Sequence, residues 1–229
     1  MKTKGSWLRF VCVLMAVAVV MAPAAWTADS KDAETKDGWI RLFNGKDLTG
    51  WQNARAPKAK NRWLVEDGCL TNEKKANNIA TVDKFKDCCL KLEYKIVPHG
   101  NSGAYLRGRI EIQILDSHGK EKLESGDDGG IYGIYPPAVN ASKPAGEWNQ
   151  LHAFYIGDTL TVKLNGKVVQ DKVKIDRVTG GALPGGVDEP GPIMLQGDHG
   201  KIWFRNIMVK PCPTGGCPAC PAAASCAGK

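Results

Sequence analysis

Between residues 38 and 211 this 229-residue chain has no stretch with the 3.6-residue apolar period of an amphipathic helix. That lack excludes helical bundles and alternating α/β architectures and leaves an all-β chain. Long apolar runs are almost missing: Phe10–Met21 is followed by no second one, so nothing after it reads as a membrane span. A strong excess of one charge is also lacking. The formal net charge is +7, and removing residues 1–28, which hold Lys2, Lys4 and Arg9 and no acid, lowers it by three. So mild a balance argues against nucleic acid as a partner. Histidine is scarce, four in all, and His99, His118 and His152 show no His-x-x-x-His spacing, so no metal site is assigned; a divalent metal stays open as a cofactor and no other is implied. No internal repeat is present.

The termini differ from the body. Lys2, Lys4 and Arg9, the apolar run and the small residues around Ala22-Pro23-Ala24 and Ala28 follow the three-part pattern of a secretory signal. Residues 1–28 are therefore expected to be removed and the protein to be secreted or periplasmic. Residues 29–37 read as a charged linker and 38–211 as one domain with a sizeable core. Residues 212–229, "CPTGGCPACPAAASCAGK", have too little apolar bulk for a core and read as a Cys/Pro/Ala-rich disordered tail, with zinc binding or disulfide attachment to a surface as alternatives. Of eight cysteines, Cys12 lies in the signal, so seven remain; an odd number leaves at least one free or paired with another chain.

The body reads as short strands and turns. "RWLVEDGCLT" places Asp67-Gly68 between two apolar runs, and Asn165-Gly166 follows Leu160, Val162 and Leu164; both dipeptides are hairpin turns. Leu90, Leu92, Tyr94 and Ile96 alternate with Lys91, Glu93 and Lys95, a strand with one wet face. Residues 193–196 and 202–209 form the last pair, joined by "GDHG". With 26 glycines among many short strands, the expected fold is a β-sandwich or jelly roll.

One strand carries a puzzle. In "RIEIQILDS" Ile110, Ile112 and Ile114 alternate with Glu111 and Gln113, so a polar set occupies the face away from the core. Simple continuation would turn Asp116 inward, which an unpaired carboxylate opposes. A β-bulge at Ile114-Leu115 would return Asp116 to the side of Glu111 and Gln113.

The blocks "GWIRLFNGKDLTGW", "GNSGAYLRGRIEIQILDS", "GGIYGIYPPAVNASKPAGEWN" and "GPIMLQGDHGKIWFRNIMVKP" together resemble the 3-keto-disaccharide hydrolase family, also described as 3-keto-glucoside 1,2-lyases and 3-keto-2-hydroxy-glucal hydratases. The resemblance runs from about Gly38 to Pro211. It implies a concanavalin A-like jelly roll with a carbohydrate groove and export by glycoside-degrading bacteria. The Glu111-x-Gln113-x-x-Asp116 spacing also resembles the Glu-x-Asp-x-x-Glu strand of laminarinase-type glycosidases, but Gln113 cannot titrate, which speaks against their double displacement.

A 3-keto sugar offers another route, in which a base removes the acidified proton at carbon 2, the enolate expels the anomeric substituent and water adds back. Glu111 or Asp116 are candidates for the base, Arg107 or Arg109 for the oxyanion partner, and His199 for the acid. Asn101, Gln113, Tyr132 and Gln196 are candidates for binding hydroxyls and Trp148 for stacking on a sugar. Each has a plainer alternative: a surface ion pair for Glu111, a turn cap for His199, a core position for Trp148. Asp127 and Asp128 could hold calcium or simply form a polar loop. The expected partner is a 3-keto-glycoside or another carbohydrate. The competing function is a noncatalytic, lectin-like carbohydrate-binding module of the cell envelope.

Overall fold

The computed structural model describes residues 37–73 and 75–212. The expected signal segment, most of the linker and the tail beyond Cys212 lie outside the described residues. Within them there are thirteen strands and no helix.

Two antiparallel sheets face each other. The larger contains β11 (Lys167–Lys174), β10 (Thr159–Leu164), β9 (Asn149–Ile156), β6 (Cys88–Ile96), β13 (Ile202–Pro211), β4 (Cys69–Asn72) and β3 (Trp63–Glu66), in that order, with β1 (Ile40–Arg41) also paired to β13. The smaller runs β2 (Trp51–Asn53), β5 (Ile79–Thr81), β12 (Met194–Leu195), β7 (Asn101–Leu106) and β8 (Ile110–Leu115). This is the jelly-roll sandwich the alternation implies.

The core lies between the sheets and follows from strand parity. Leu90, Leu92 and Tyr94 of β6 and Leu151 and Tyr155 of β9 meet Ala104, Leu106, Ile110, Ile112 and Ile114 of β7 and β8, all buried. Burying a side chain of this size contributes on the order of 1.5–3 kcal/mol, so the parity of each strand is strongly fixed.

Hairpins at Asp67-Gly68 and Asn165-Gly166 form as expected, both with positive φ at each turn residue. Arg107-Gly108 makes a third turn of this kind, φ 51° and 64°, and Arg109 N donates to Leu106 O. One expected hairpin does not form: β12 lies in the smaller sheet and β13 in the larger. The "GDHG" segment is therefore a crossover at the edge of the sandwich, which carries Asp198 and His199 to the outward face of the smaller sheet.

Candidate functional site

That outward face is a polar floor built by register. Gln52, Ala80, Met194, Tyr105 and Glu111 are paired in one row across all five strands. In the neighbouring row Gln196 N donates to Gly103 O, and Gly103 pairs with Gln113. Loops close over the row: Glu111 and Gln113 are each only 2 % exposed although they face away from the core. The segment after Asp128 runs along β8, with Gln113 N donating to Gly130 O, Gly129 N to Gln113 O and Tyr132 N to Glu111 O. It sets Tyr132 at the rim, 43 % exposed.

A cavity of about 360 Å³ opens on this floor, walled by Arg55, Asn78, Asn101, Tyr105, Glu111, Gln113, Tyr132, Gln196, Asp198 and His199 with Gly180 and Gly181. Three close approaches explain its glycines. A Cβ at Gly103 would overlap the Glu111 carboxylate, one at Gly181 would come within 2.6 Å of the Tyr105 hydroxyl, and one at Gly180 would crowd the Tyr132 ring. Arg55 Nη2 donates to Gly181 O and Ala182 O, each at 2.9 Å, tying the loop after β2 to the loop above Tyr105.

Among the described residues Glu111 has no cation paired to it. Its backbone is held, N–H to Thr179 Oγ1 at 2.9 Å, and the same hydroxyl donates to Arg109 O at 2.9 Å. Burial pushes its carboxyl up to about 7, a rise that Asp198 adds to and that Tyr105 and His199 moderate. Burial, together with the neighbouring Glu111, holds the Tyr105 hydroxyl well above its ordinary range; its hydrogen bond goes to Gly180 O at 3.2 Å. His199 Nδ1 lies 2.6 Å from Asp198 Oδ1. A carboxylate only accepts, so Nδ1 carries the hydrogen and Nε2 is left for a ligand. Gln113 Nε2 donates to Asn101 Oδ1 at 3.0 Å, and Gln196 Oε1 is buried without a partner among the described residues.

The structure thus brings Glu111, His199, Asn101, Gln113, Tyr132 and Gln196 around one cavity and places four other candidates elsewhere. Strands β7 and β8 pair from Leu106↔Ile110 to Asn101↔Leu115 with no shift, so the bulge is absent. The strand ends at Leu115, and Asp116 turns to accept from His99 N at 2.9 Å, capping the turn before β7. Arg107 falls in the hairpin turn, where strand parity no longer applies. Its guanidinium is 1 % exposed and is held by Lys86 O, Val187 O, Gly157 O and Asp87 Oδ1, over the Tyr155 ring. Arg109 donates to Pro184 O, Glu189 O and Arg107 O and clamps the loop of residues 184–189. Trp148 immediately precedes β9 of the opposite sheet and is stacked under Arg205, with the guanidinium carbon 3.9 Å from the ring centre.

Asp127 and Asp128 are taken up by protein partners. Asp128 accepts from the Tyr94 hydroxyl, at 2.6 and 2.7 Å to its two oxygens, and from Ser142 Oγ at 2.7 Å; burial pushes it up to about 6. Asp127 accepts from Lys120 Nζ and Glu124 N. Among the described residues no three His, Cys, Asp or Glu side chains gather as a metal site.

Sequence reasoning missed Arg55, Asn78, Tyr105 and Asp198. Tyr105 shares the parity of Asn101 in "NSGAYL" and Asp198 adjoins His199 in "GDHG", so both were within reach. Arg55 lies in "NARAPKAKNR", which has no periodicity to orient it.

A titratable, amide-lined groove on one sheet of an all-β sandwich suits a hydroxyl-rich ligand, and the family and relatives below make this a carbohydrate-active, glycosyl hydrolase-like protein. The comparisons with known proteins narrow this: residues 38–210 match the model of the 3-keto-alpha-glucoside-1,2-lyase-like domain, and the chain belongs to that family. It is 26 % identical to a 3-keto-disaccharide hydrolase of Bacteroides thetaiotaomicron, over 76 % of this chain and 78 % of that protein. Two crystal structures from Parabacteroides distasonis, each titled a "putative glycosyl hydrolase", share the fold. One has a TM-score of 0.67 at 26 % identity, covering 77 % of this chain and 95 % of its own. The other has 0.65 at 33 % identity, covering 76 % and 84 %.

Proposed function

We propose that this protein cleaves the glycosidic bond of 3-keto-glycosides by elimination followed by hydration, with net hydrolysis as the outcome. The observation that carries this reading is Glu111: a carboxyl on the floor of an open polar groove, without a cationic partner, titrating at about 7. A group in that range exchanges protons readily near neutrality.

The chemistry follows from the wall of the cavity. The ketone at carbon 3 acidifies the hydrogen at carbon 2, and the Glu111 carboxylate takes that proton while the electron pair forms the enolate. Arg55, the arginine in the wall, faces the developing oxyanion. Collapse of the enolate forms the double bond between carbons 1 and 2 and breaks the bond from carbon 1 to the leaving oxygen, which receives a proton from His199. Water then adds its hydroxyl at carbon 1 and gives its remaining proton to His199, which is restored, while Glu111 returns its proton to carbon 2. The products are a free alcohol and a 3-keto sugar, with one water consumed.

The competing reading is a noncatalytic carbohydrate-binding module, which the amides of Asn78, Asn101, Gln113 and Gln196 would also suit. Incubating the protein with 3-keto-trehalose, 3-keto-lactose and their unoxidised parents, with and without EDTA, separates the two. Cleavage of the keto sugars alone supports the enzyme; equal binding of all four with no cleavage supports the module. Export is part of the proposal and rests on the N-terminal pattern of Lys2 to Ala28. A protein recovered outside the cytoplasm whose chain starts near residue 29 supports it, and an uncleaved cytoplasmic chain overturns it.

A further inference from the structure

Strand β7 carries a glycine at its centre that the backbone does not require. Gly103 is not among the residues with positive φ, and it is paired on both sides, to Gln113 of β8 and through its carbonyl to Gln196 N. Glycine weakens a strand there unless something approaches closely. At Gly100, Gly130 and Gly191 the nearest obstacle to a Cβ is backbone, whereas at Gly103 the three nearest atoms all belong to Glu111, Oε1 first and then Cδ and Cγ at 3.0 Å. Glu111 is paired with Tyr105, so its carboxyl leans diagonally across the register, over the position that has no side chain.

We propose that β7 forms a two-part seat for the Glu111 carboxyl: the gap at Gly103 receives it and the Tyr105 hydroxyl donates to it, which makes both positioning residues for the base. For the part the base plays, this rests on the cleavage reading above.

The hydroxyl has few other places to go. Tyr105 is fully buried, and burial keeps its proton on. That single hydrogen has two acceptors in reach, Gly180 O at 3.2 Å and the Glu111 carboxyl. A carboxylate draws it more strongly than an amide carbonyl does. The hydroxyl therefore turns to Glu111 when the base is ionised and back to Gly180 O once the base has taken a proton. The loop above it is close, since a Cβ at Gly181 would come within 2.6 Å of the hydroxyl, and Arg55 holds that loop through Gly181 O and Ala182 O. The other charged or titratable groups of the cavity wall are Arg55, Tyr132, Asp198 and His199. Asp198 and His199 act on Glu111 through charge, and changes confined to β7 leave both in place.

NMR titration of protein with isotope-labelled glutamate carboxyls reads the midpoint of Glu111, the signal being assigned by its loss in Glu111→Gln. Tyr105→Phe is expected to raise that midpoint by about one pH unit, the equivalent of one charge-assisted hydrogen bond. In the Gly103→Ala protein, where the carboxyl is kept from its seat, the same change should move the midpoint no more than about a third as far. Gly103→Ala alone should keep its thermal midpoint, because the atoms in the way are the end of a flexible side chain and alanine suits a strand, while kcat for a 3-keto-glycoside falls by about a hundredfold. A midpoint unmoved by Tyr105→Phe overturns the proposal, as does an equal rise in both backgrounds or a Gly103→Ala protein with full turnover. The titrations need no substrate, so they decide the seat even where the unsubstituted protein cleaves no keto sugar, which is the result that would overturn the cleavage reading instead.

Discussion

Glu93 and Glu111 are both strand glutamates on the face opposite the core, yet they sit in opposite chemical worlds. Burial of Glu93 works upward on its carboxyl, but hydrogen bonds from Arg205 at 2.7 Å and Asn206 at 3.1 Å outweigh it and hold it below the ordinary range. Around it, on the outer face of the larger sheet, Lys95 lies between the Trp148 and Trp203 rings and Lys91 over Trp39. Glu93, Lys91 and Lys95 each have a partner there. Glu111 is more deeply buried, lacks a cation and titrates at about 7. The lesson is that a polar face becomes a site where partners are withheld: an ion pair satisfied by the protein itself leaves nothing for a ligand to complete.

Substitutions sharpen this contrast. The largest effect is expected where a buried charge is structural. Arg107→Ala strips three carbonyls of their guanidinium donor, leaves Asp87 without its ion-pair partner and should cost about 3–5 kcal/mol, read as a fall in thermal midpoint; Arg205→Ala on the outer face should cost about 0–1 kcal/mol. Next comes Glu111→Gln, expected to lower turnover of a 3-keto-glycoside by about a hundredfold or more with the fold unchanged. Glu93→Gln should leave turnover as it is. If both variants lose activity alike, the contrast between the two faces is broken.

A pH series gives a third, smaller effect. The carboxyl of Glu111 titrates near 4.5 when unfolded and at about 7 when folded, so the folded state retains the proton that the unfolded state releases. Its contribution to stability is therefore complete below about pH 4.5 and is lost as pH rises through 7. Glu111→Gln should remove that decline, which amounts to about 1–3 kcal/mol, in denaturant titrations at pH 5 and pH 8. Asp128, raised to about 6, gives a decline of the same sign that persists in this variant. The activity of the unsubstituted protein should rise through about pH 7 as the base ionises. Smallest in its effect on activity, Asp116→Asn weakens one hydrogen bond to His99 N and should cost about 0.5–1.5 kcal/mol of stability, with turnover within about twofold. A large loss of activity there would return Asp116 to the chemistry.

Much of the fold was readable because parity and turn chemistry are local. The isoleucines of β8 and the leucines of β6 face the core as their alternation requires, and Asp-Gly and Asn-Gly turns supply the positive φ that two-residue hairpins need. The site was readable as far as parity extended: Glu111 and Gln113 share a face, and so does Tyr105 with Asn101 across the hairpin. It failed at the ends of strands. Arg107 shares the sequence parity of Glu111, but a hairpin turn intervenes and points its side chain beneath the loops. A bulge is one way to keep Asp116 out of the core, but the chain simply stops pairing at Leu115 and uses the carboxylate as a cap. Arg55 and the sheet-to-sheet crossover at residues 197–200 depend on where distant loops meet, which no short-range pattern encodes.

Strand β8 is the last strand of its sheet, and its free side would present a row of backbone donors and acceptors to any extended chain. The segment at Gly129–Tyr132 occupies that side at Glu111 and Gln113, and Ile131 bridges to Ile112. The loop that sets Tyr132 at the rim thus also guards the molecule against edge-to-edge association. Loosening it would expose a strand rich in isoleucine, and the first symptom would be self-association and loss of soluble protein, ahead of any change in what the groove binds.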